Sequence, residues 1–368
     1  MSSTLRVGIT HGDINGVSYE IILKAIAEEG ITDLFTPVIF GKADIADIAK
    51  EKFGLQDLKL NVIKSADQAK DGMINLVDLK EVSPTLNIGQ IKRDAGESAV
   101  EALENAVEAL QQGVIDVIVT APISKEAVQS DNFKFPGHTE YLSEKIGEGN
   151  EALMILCNDS LRVALLTIHV PLNKITDQIT EDNIIAAVEK FSTSLKQDFG
   201  IVRPSIAVLS LNPHAGDGGL LGEEEEKIIK PAITKLMQKG ILAFGPFAAD
   251  GFFGHGVYKK FDGVLAMYHD QGLAPFKTLA QNGGVNYSAG LPFVRTSPDH
   301  GTAFDIAWQG NADPTSMREA IYLALDILRR RKTFAEAAAN PLKKYVHERP
   351  ERHDKPQLKL DFNTDSDD

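Results

Sequence analysis

Three apolar runs of this sequence end in a histidine. RVALLTI (162–168) leads into His169, SIAVLSL (205–211) into Asn212, Pro213 and His214, and GVLAMY (263–268) into His269. The last opens a dense polar stretch, MYHDQGLAPFK (267–277), in which Asp270 and Lys277 follow at once. Imidazole nitrogens suit Zn²⁺, Co²⁺ and similar divalent ions, and three protein ligands with an open position describe a catalytic metal site. A single histidine at a strand end is more often a polar cap. The spacings of 45 and 55 residues match no short metal motif, so only the fold can bring the three together.

Other side chains here suit an anion. GHTEYL (137–142) supplies His138 and Thr139, and Lys277, Asn286 and Arg295 follow the third histidine. Lys and Arg neutralise phosphate or carboxylate, while Thr and Asn add directional hydrogen bonds. The plainer reading makes Lys277 and Arg295 solvated surface charges, and His138 and Thr139 loop or helix-cap residues. The glycine-rich AGDGGLLGEEEEKII (215–229) invites a dinucleotide reading. Gly216, Gly218 and Gly222, however, give G-x-G-x-x-x-G, one residue longer than the usual fingerprint. Tight turning explains those glycines, and Glu223 to Glu226 suit the positive end of a following helix.

The elements that must position these residues read as a largely parallel α/β sheet, because short β-rich runs alternate with helical patterns. LRVGI (5–9), TPVIF (36–40) and VIDVIVT (114–120) join the three histidine-ended runs as strands. Ala99, Val100, Leu103, Val107 and Leu110 recur at helical spacing within 94–112, and 17–29 and 316–330 read similarly. Ligands of open α/β sheets bind beyond the carboxyl ends of strands, so the three histidines are expected to converge there.

Composition narrows the classes. Asp and Glu outnumber Lys and Arg 52 to 38, and a net charge of −14 gives no generic attraction to nucleic acid or anionic membrane. A lone cysteine, Cys157, excludes an intrachain disulfide and any multi-cysteine metal site. MSSTLRVGIT lacks a signal-peptide core and no apolar run is of membrane-spanning length, so a cytoplasmic protein is expected. From about Glu348 the text is polar and poor in core-formers, and a disordered tail over 348–368 is expected.

Six stretches together are specific: TAPISKEA (120–127), GHTEYL (137–142), LNPHAGDGGLLGEEE (211–225), GPFAADGFF (245–253), MYHDQGLAPFK (267–277) and GLPFVRTSPDHGTAFDIA (290–307). They closely resemble the NAD-dependent 4-hydroxythreonine-4-phosphate dehydrogenases of pyridoxal phosphate biosynthesis, and the likeness extends over most of residues 5–335. The resemblance implies a divalent metal (Zn, Mg or Co) held by His169, His214 and His269, drawn from two subunits of a homodimer. It places His138, Thr139, Lys277, Asn286 and Arg295 around a small phosphorylated substrate. The fold implied is like that of isocitrate and isopropylmalate dehydrogenases, two α/β domains with the active site in the interdomain cleft. Residues 1–130 and 278–347 would form the first, cofactor-binding domain, and 131–277 the second, with the metal and the dimer interface. HGTAFDIAWQGNADP (300–314) resembles the cofactor loop of isopropylmalate dehydrogenases, which points to His300, Asp305 and Asn311 for NAD or NADP.

The reaction so implied oxidises 4-phosphohydroxy-L-threonine to 2-amino-3-oxo-4-phosphooxybutanoate, which decarboxylates to 3-amino-2-oxopropyl phosphate. Asp250, Asp270 and Lys277 are the catalytic candidates, the two carboxylates for proton transfer or for holding the histidines. A dehydrogenase of phosphothreonate or phosphoerythronate is the alternative, since those acids carry the same kinds of group. A three-histidine hydrolase or aldolase, or a non-catalytic phosphate binder, ranks below both. One segment departs from the resemblance: THGDING (10–16) replaces the commoner T-P-G-E-P-A-G and brings in His11 and Asp13.

Overall fold

The structure, a computed structural model, describes residues 4–130, 133–281 and 283–340. The tail expected over 348–368 lies outside the described residues, as do 341–347 of the first expected domain. Among the described residues, twelve strands form one sheet: β1 Arg6–Thr10, β2 Thr36–Gly41, β3 Leu60–Ile63, β4 Ile74–Asp78, β5 Val117–Thr120, β6 Leu153–Cys157, β7 Arg162–Leu165, β8 Ser205–Leu209, β9 Leu242–Phe247, β10 Gly263–Ala266, β11 Val285–Ala289 and β12 Arg295–Pro298. Their order is β3-β4-β2-β1-β5-β12-β11-β6-β7-β10-β8-β9.

Every pairing is parallel except β12–β11, β11–β6 and β6–β7 at the centre. Three successive reversals leave the two flanking sets pointing in opposite directions. β1, β5 and β12 run one way, and β7, β10 and β8 run the other. The chain makes the strands of the first set up to β5, then β6 to β10, and returns for β11 and β12.

Alternation along the strands sorts side chains onto two faces. Val117, Val119, Ile155, Ala164, Val285 and Tyr287 belong to one continuous core that runs beneath both halves. On the opposite face the core is divided. Val38, Phe40 and Ile118 pack in one cluster, and Met154, Leu156 and Val163 in another. Between these two clusters the central strands present polar residues instead, and the helices covering each cluster leave room for a cavity.

The helix Arg93–Gln111 buries Ala99, Leu103 and Val107 of the expected stripe, with Ala95 and Ala106 beside them, while Val100 and Leu110 are only half-buried. The pattern at 17–29 forms the helix Ser18–Ile26, and that at 316–330 forms the longer helix Thr315–Ala339. No helix of the described residues is long and apolar enough to cross a membrane.

Candidate active site

A cavity of about 600 Å³ opens over the central strands, within the range of small-ligand sites. Thr120 from β5, Arg295 and Ser297 from β12, Asn286 from β11 and Met154 and Leu156 from β6 reach it from the face where the core is divided. His269, Leu273 and Lys277 lie at spacings of four on the helix His269–Ala280, so one face of that helix forms another wall. The site therefore sits on the face of the sheet at its reversal. It does not lie beyond a common edge of carboxyl ends, as the strand-end reading expected, because the two parallel sets point oppositely.

One end of the cavity is built for an anion. Arg295 is buried, yet its guanidinium donates only to hydroxyls among the described residues. Nε and Nη2 reach Thr120 Oγ1 at 3.1 and 2.6 Å, and Nη1 reaches Ser288 Oγ at 3.2 Å and Thr139 Oγ1 at 3.3 Å. Burial lowers its pKa to about 10, with Glu140 opposing the shift, so it remains a cation at neutral pH. Thr139 belongs to the first turn of the helix His138–Ile146, whose free backbone N–H groups and dipole favour negative charge. His138 opens that turn. Desolvation and the Arg295 charge push its pKa well below 6.5, so its imidazole is neutral. Asn286 Oδ1 is buried without a partner among the described residues, and Lys277 Nζ donates to the Asp299 carbonyl at 2.8 Å.

The other end holds two imidazoles. The rings of His169 and His269 stand 6.1 Å apart, centroid to centroid. His269 Nδ1 is 2.6 Å from Asp270 Oδ1, which assigns the proton to Nδ1 and leaves the Nε2 lone pair free. His169 Nδ1 faces Glu140 Oε1 at 3.7 Å, and its Nε2 lies 2.9 Å from Lys125 Nζ. Since an ammonium only donates, His169 Nε2 is also a lone pair. Both rings thus carry the tautomer that a divalent ion requires, with a carboxylate behind each. The donor set fits such an ion in kind, while among the described residues no three His, Cys, Asp or Glu side chains are grouped to hold one.

The structure gathers His138, Thr139, His169, His269, Asp270, Lys277, Asn286, Arg295 and His300 around this cavity. Four expected residues lie elsewhere. His214 and Asp250 do not line it: they follow β8 and β9, the two strands farthest from the cavity on that side. Asp305 and Asn311 are exposed on the loop beyond His300. The strands that precede the histidines are also shorter than the apolar runs suggested. β7 stops at Leu165, so His169 sits in an irregular segment, and His269 begins a helix instead of ending a strand.

His214 stands in a left-handed turn, Pro213–Gly219, with φ of 53°, 52° and 44° at His214, Ala215 and Asp217. Buried Glu225 braces that turn, accepting from the backbone N–H groups of Leu211 and Asn212 at 2.8 Å each. Its carboxylate therefore serves the loop instead of a helix terminus.

Lys125, Thr120, Ser288 and Glu140 also belong to the site, though the sequence marked none of them. Lys125 and Thr120 both lie within TAPISKEA, Thr120 as the last residue of an expected strand and Lys125 five positions beyond it, and that position was their only signal. THGDING is wholly buried behind the cavity wall: Asp13 N–H donates to the Pro122 carbonyl at 2.8 Å. His11 Nδ1, Asp13 Oδ2 and Asn15 Nδ2 are buried there with no hydrogen-bond partner among the described residues.

A family model described as pyridoxal phosphate biosynthetic protein PdxA matches residues 33–324. The chain is 50% identical over 357 residues to 4-hydroxythreonine-4-phosphate dehydrogenase of Bacteroides thetaiotaomicron, covering 97% of each. It is 38% identical to D-threonate 4-phosphate dehydrogenase of Salmonella typhimurium, over 88% of this chain and 99% of that protein. The crystal structure of 4-hydroxythreonine-4-phosphate dehydrogenase from Klebsiella pneumoniae superposes with a TM-score of 0.76 at 35% identity, over 89% of this chain and 99% of that one.

Proposed function

The chain belongs to the pyridoxal phosphate biosynthetic protein PdxA family, and we propose that it oxidises 4-phosphohydroxy-L-threonine with NAD or NADP, giving 2-amino-3-oxo-4-phosphooxybutanoate. That β-keto acid decarboxylates to 3-amino-2-oxopropyl phosphate, because the ketone accepts the electrons released. The observation that carries the reading is Arg295: a buried guanidinium held only by hydroxyls, beside a helix start and a pair of imidazoles, is a charge arranged for a phosphorylated ligand.

Arg295, Thr139 and His138 take the phosphate, the neutral imidazole acting as a hydrogen-bonding group. Lys277 and Asn286 complete the substrate's surroundings, Asn286 through its unpartnered Oδ1. His169 and His269 hold a divalent ion (Zn, Mg or Co) that supplies Lewis acidity toward the hydroxyl being oxidised. His214 comes from a second copy of the chain, and with it Asp250, which accounts for both lying outside their own cavity. Asp270 keeps His269 in its ligating tautomer, and it or Asp250 takes the proton of the hydroxyl being oxidised. His300 and the loop through Asp305 and Asn311 face the cofactor. The two oppositely directed halves of the sheet are the two domains, with the chain crossing near residue 130 and returning near 278.

The same cavity suits a phosphorylated sugar acid, and the Salmonella typhimurium relative is named for one. The deciding assay is NADH or NADPH formation from 4-phosphohydroxy-L-threonine, phosphothreonate and phosphoerythronate, each with and without chelator. Chelator-sensitive turnover favouring the first is the expected result. Preference for a sugar acid moves the substrate and keeps the chemistry. Absence of turnover with all three, metal restored, overturns the dehydrogenase reading.

A further inference from the structure

Lys125 and a divalent ion cannot both use His169. The Lys125 ammonium sits 2.9 Å from Nε2 and has only donors, so this contact consumes the one lone pair that the ring offers to the cavity. The other nitrogen, Nδ1, is turned toward Glu140 and faces away from the pair. A lone pair that accepts a hydrogen bond is closed to a metal ion, and a metal-bound nitrogen cannot accept.

The backbone that carries Lys125 is fixed while its side chain is free to move. Lys125 is the first residue of a single helical turn, Lys125–Val128, capped by Ser124 Oγ, which accepts from Ala127 N–H at 3.3 Å. That turn is pressed against the helix Arg93–Gln111 at Gly96. The side chain itself is exposed and lines the cavity, and His169 is its hydrogen-bond partner there.

We propose that Lys125 is a metal-coupled substrate-positioning residue: its ammonium guards the His169 lone pair until a divalent ion displaces it, and then turns to the substrate's carboxylate. Arg295 and Thr139 already serve the phosphate, so the released cation joins Lys277 in supplying the second anion site that a phosphorylated hydroxy acid needs. Loading the ion thereby readies the site for substrate, and without the ion Lys125 stays engaged with His169. This rests on the metal and substrate reading above.

The test uses the full chain and three forms: wild type, Lys125→Met, which keeps the length without the charge, and Lys125→Arg, which keeps the charge. Zn²⁺ affinity is measured by competition with a chromophoric chelator, and KM for 4-phosphohydroxy-L-threonine at saturating Zn²⁺. Lys125→Met is expected to bind Zn²⁺ about tenfold tighter, having lost a charged competitor, while its KM rises about tenfold or more. Lys125→Arg is expected to stay near wild type in both. Equal or weaker Zn²⁺ binding by Lys125→Met overturns the competition, and an unchanged KM overturns the carboxylate contact. A wild type that binds no Zn²⁺ overturns the metal reading and this inference with it. A wild type that binds Zn²⁺ but turns over no phosphorylated substrate overturns the function, and the Zn²⁺ comparison still reads the competition alone.

Discussion

Arg295 and Thr120, 175 positions apart in sequence, meet at 2.6 Å where β12 lies beside β5, and the hydroxyl accepts from a guanidinium that among the described residues is hydrogen-bonded to no carboxylate. A buried cation satisfied only by neutral oxygens is costly in the empty protein and strongly favourable once an anion arrives. Arg295→Met should therefore raise KM for the phosphorylated substrate at least about a hundredfold, while the empty protein loses little stability. Thermal shift with inorganic phosphate checks this without turnover: wild type is stabilised and the variant is not.

The 2.6 Å contact between His269 Nδ1 and Asp270 Oδ1 sets which nitrogen of the ring is free. Asp270→Asn keeps the shape and removes the acceptor charge, so metal affinity should fall about ten- to a hundredfold. Chelator competition measures it. Unchanged affinity would mean that the exposed carboxylate of Asp270 does not orient the ring.

His169 and His269 share a cavity and His214 does not, so variants lacking one or the other should complement. His214→Ala and His269→Ala are each expected to be inactive alone. Unfolded together and refolded as a mixture, they should recover about a quarter of wild-type activity, since half of the dimers would be mixed and each would hold one intact site of two. A mixture as inactive as its parts would place all the metal ligands within one chain.

The anion-binding residues and the imidazole pair were legible as residue types, and the helix Arg93–Gln111 as a periodicity. The direction of the central strands was not. A buried run reads the same whichever way its neighbours point, and only the pairings of β11 and β6 show the reversal that moves the site onto the face of the sheet. The apolar text of RVALLTI continued past Leu165 because Leu166 and Ile168 still pack against core clusters after the strand ends. Lys125 passed unnoticed because a lysine after a strand is ordinarily a surface charge. Only the position of His169, 44 residues away, gives it a role.

The departing segment carries a pH signature. Burial raises the Asp13 carboxyl from 3.8 to about 6, so the folded chain binds its proton more tightly and this contribution to stability falls as pH rises through that window. Burial lowers neighbouring His11 from 6.5 to about 4, which makes its contribution rise over nearly the same window. The two oppose each other in the wild type. Asp13→Asn removes the first alone, so the variant should be more stable by about 3 kcal/mol at pH 7. That gain should shrink as pH falls through this window and be gone only well below 3.8, where Asp13 is protonated in both states. Denaturant melts between pH 4 and 7 read both the gain and the steeper acid limb left by His11.

Gly96 links the long helix to the reach of Lys125. A Cβ at this position would meet the Ala127 carbonyl oxygen at 2.1 Å, its carbon at 2.3 Å and Val128 N at 2.8 Å. All three are backbone atoms, which cannot rotate aside as a side chain would. Alanine favours a helix over glycine by about 1 kcal/mol, while the overlap costs about 1–3 kcal/mol, so Gly96→Ala should destabilise modestly. The more telling consequence is local. The turn Lys125–Val128 must shift away from the helix Arg93–Gln111 and carry Lys125 off His169, whereas Arg295, Thr120 and Thr139 stand on elements that Gly96 does not press. Gly96→Ala should therefore raise KM as Lys125→Met does and still show the full phosphate-induced thermal shift. Loss of both together would mean that the substitution disturbs the fold as a whole, and that the close packing at Gly96 is not what holds Lys125 in place.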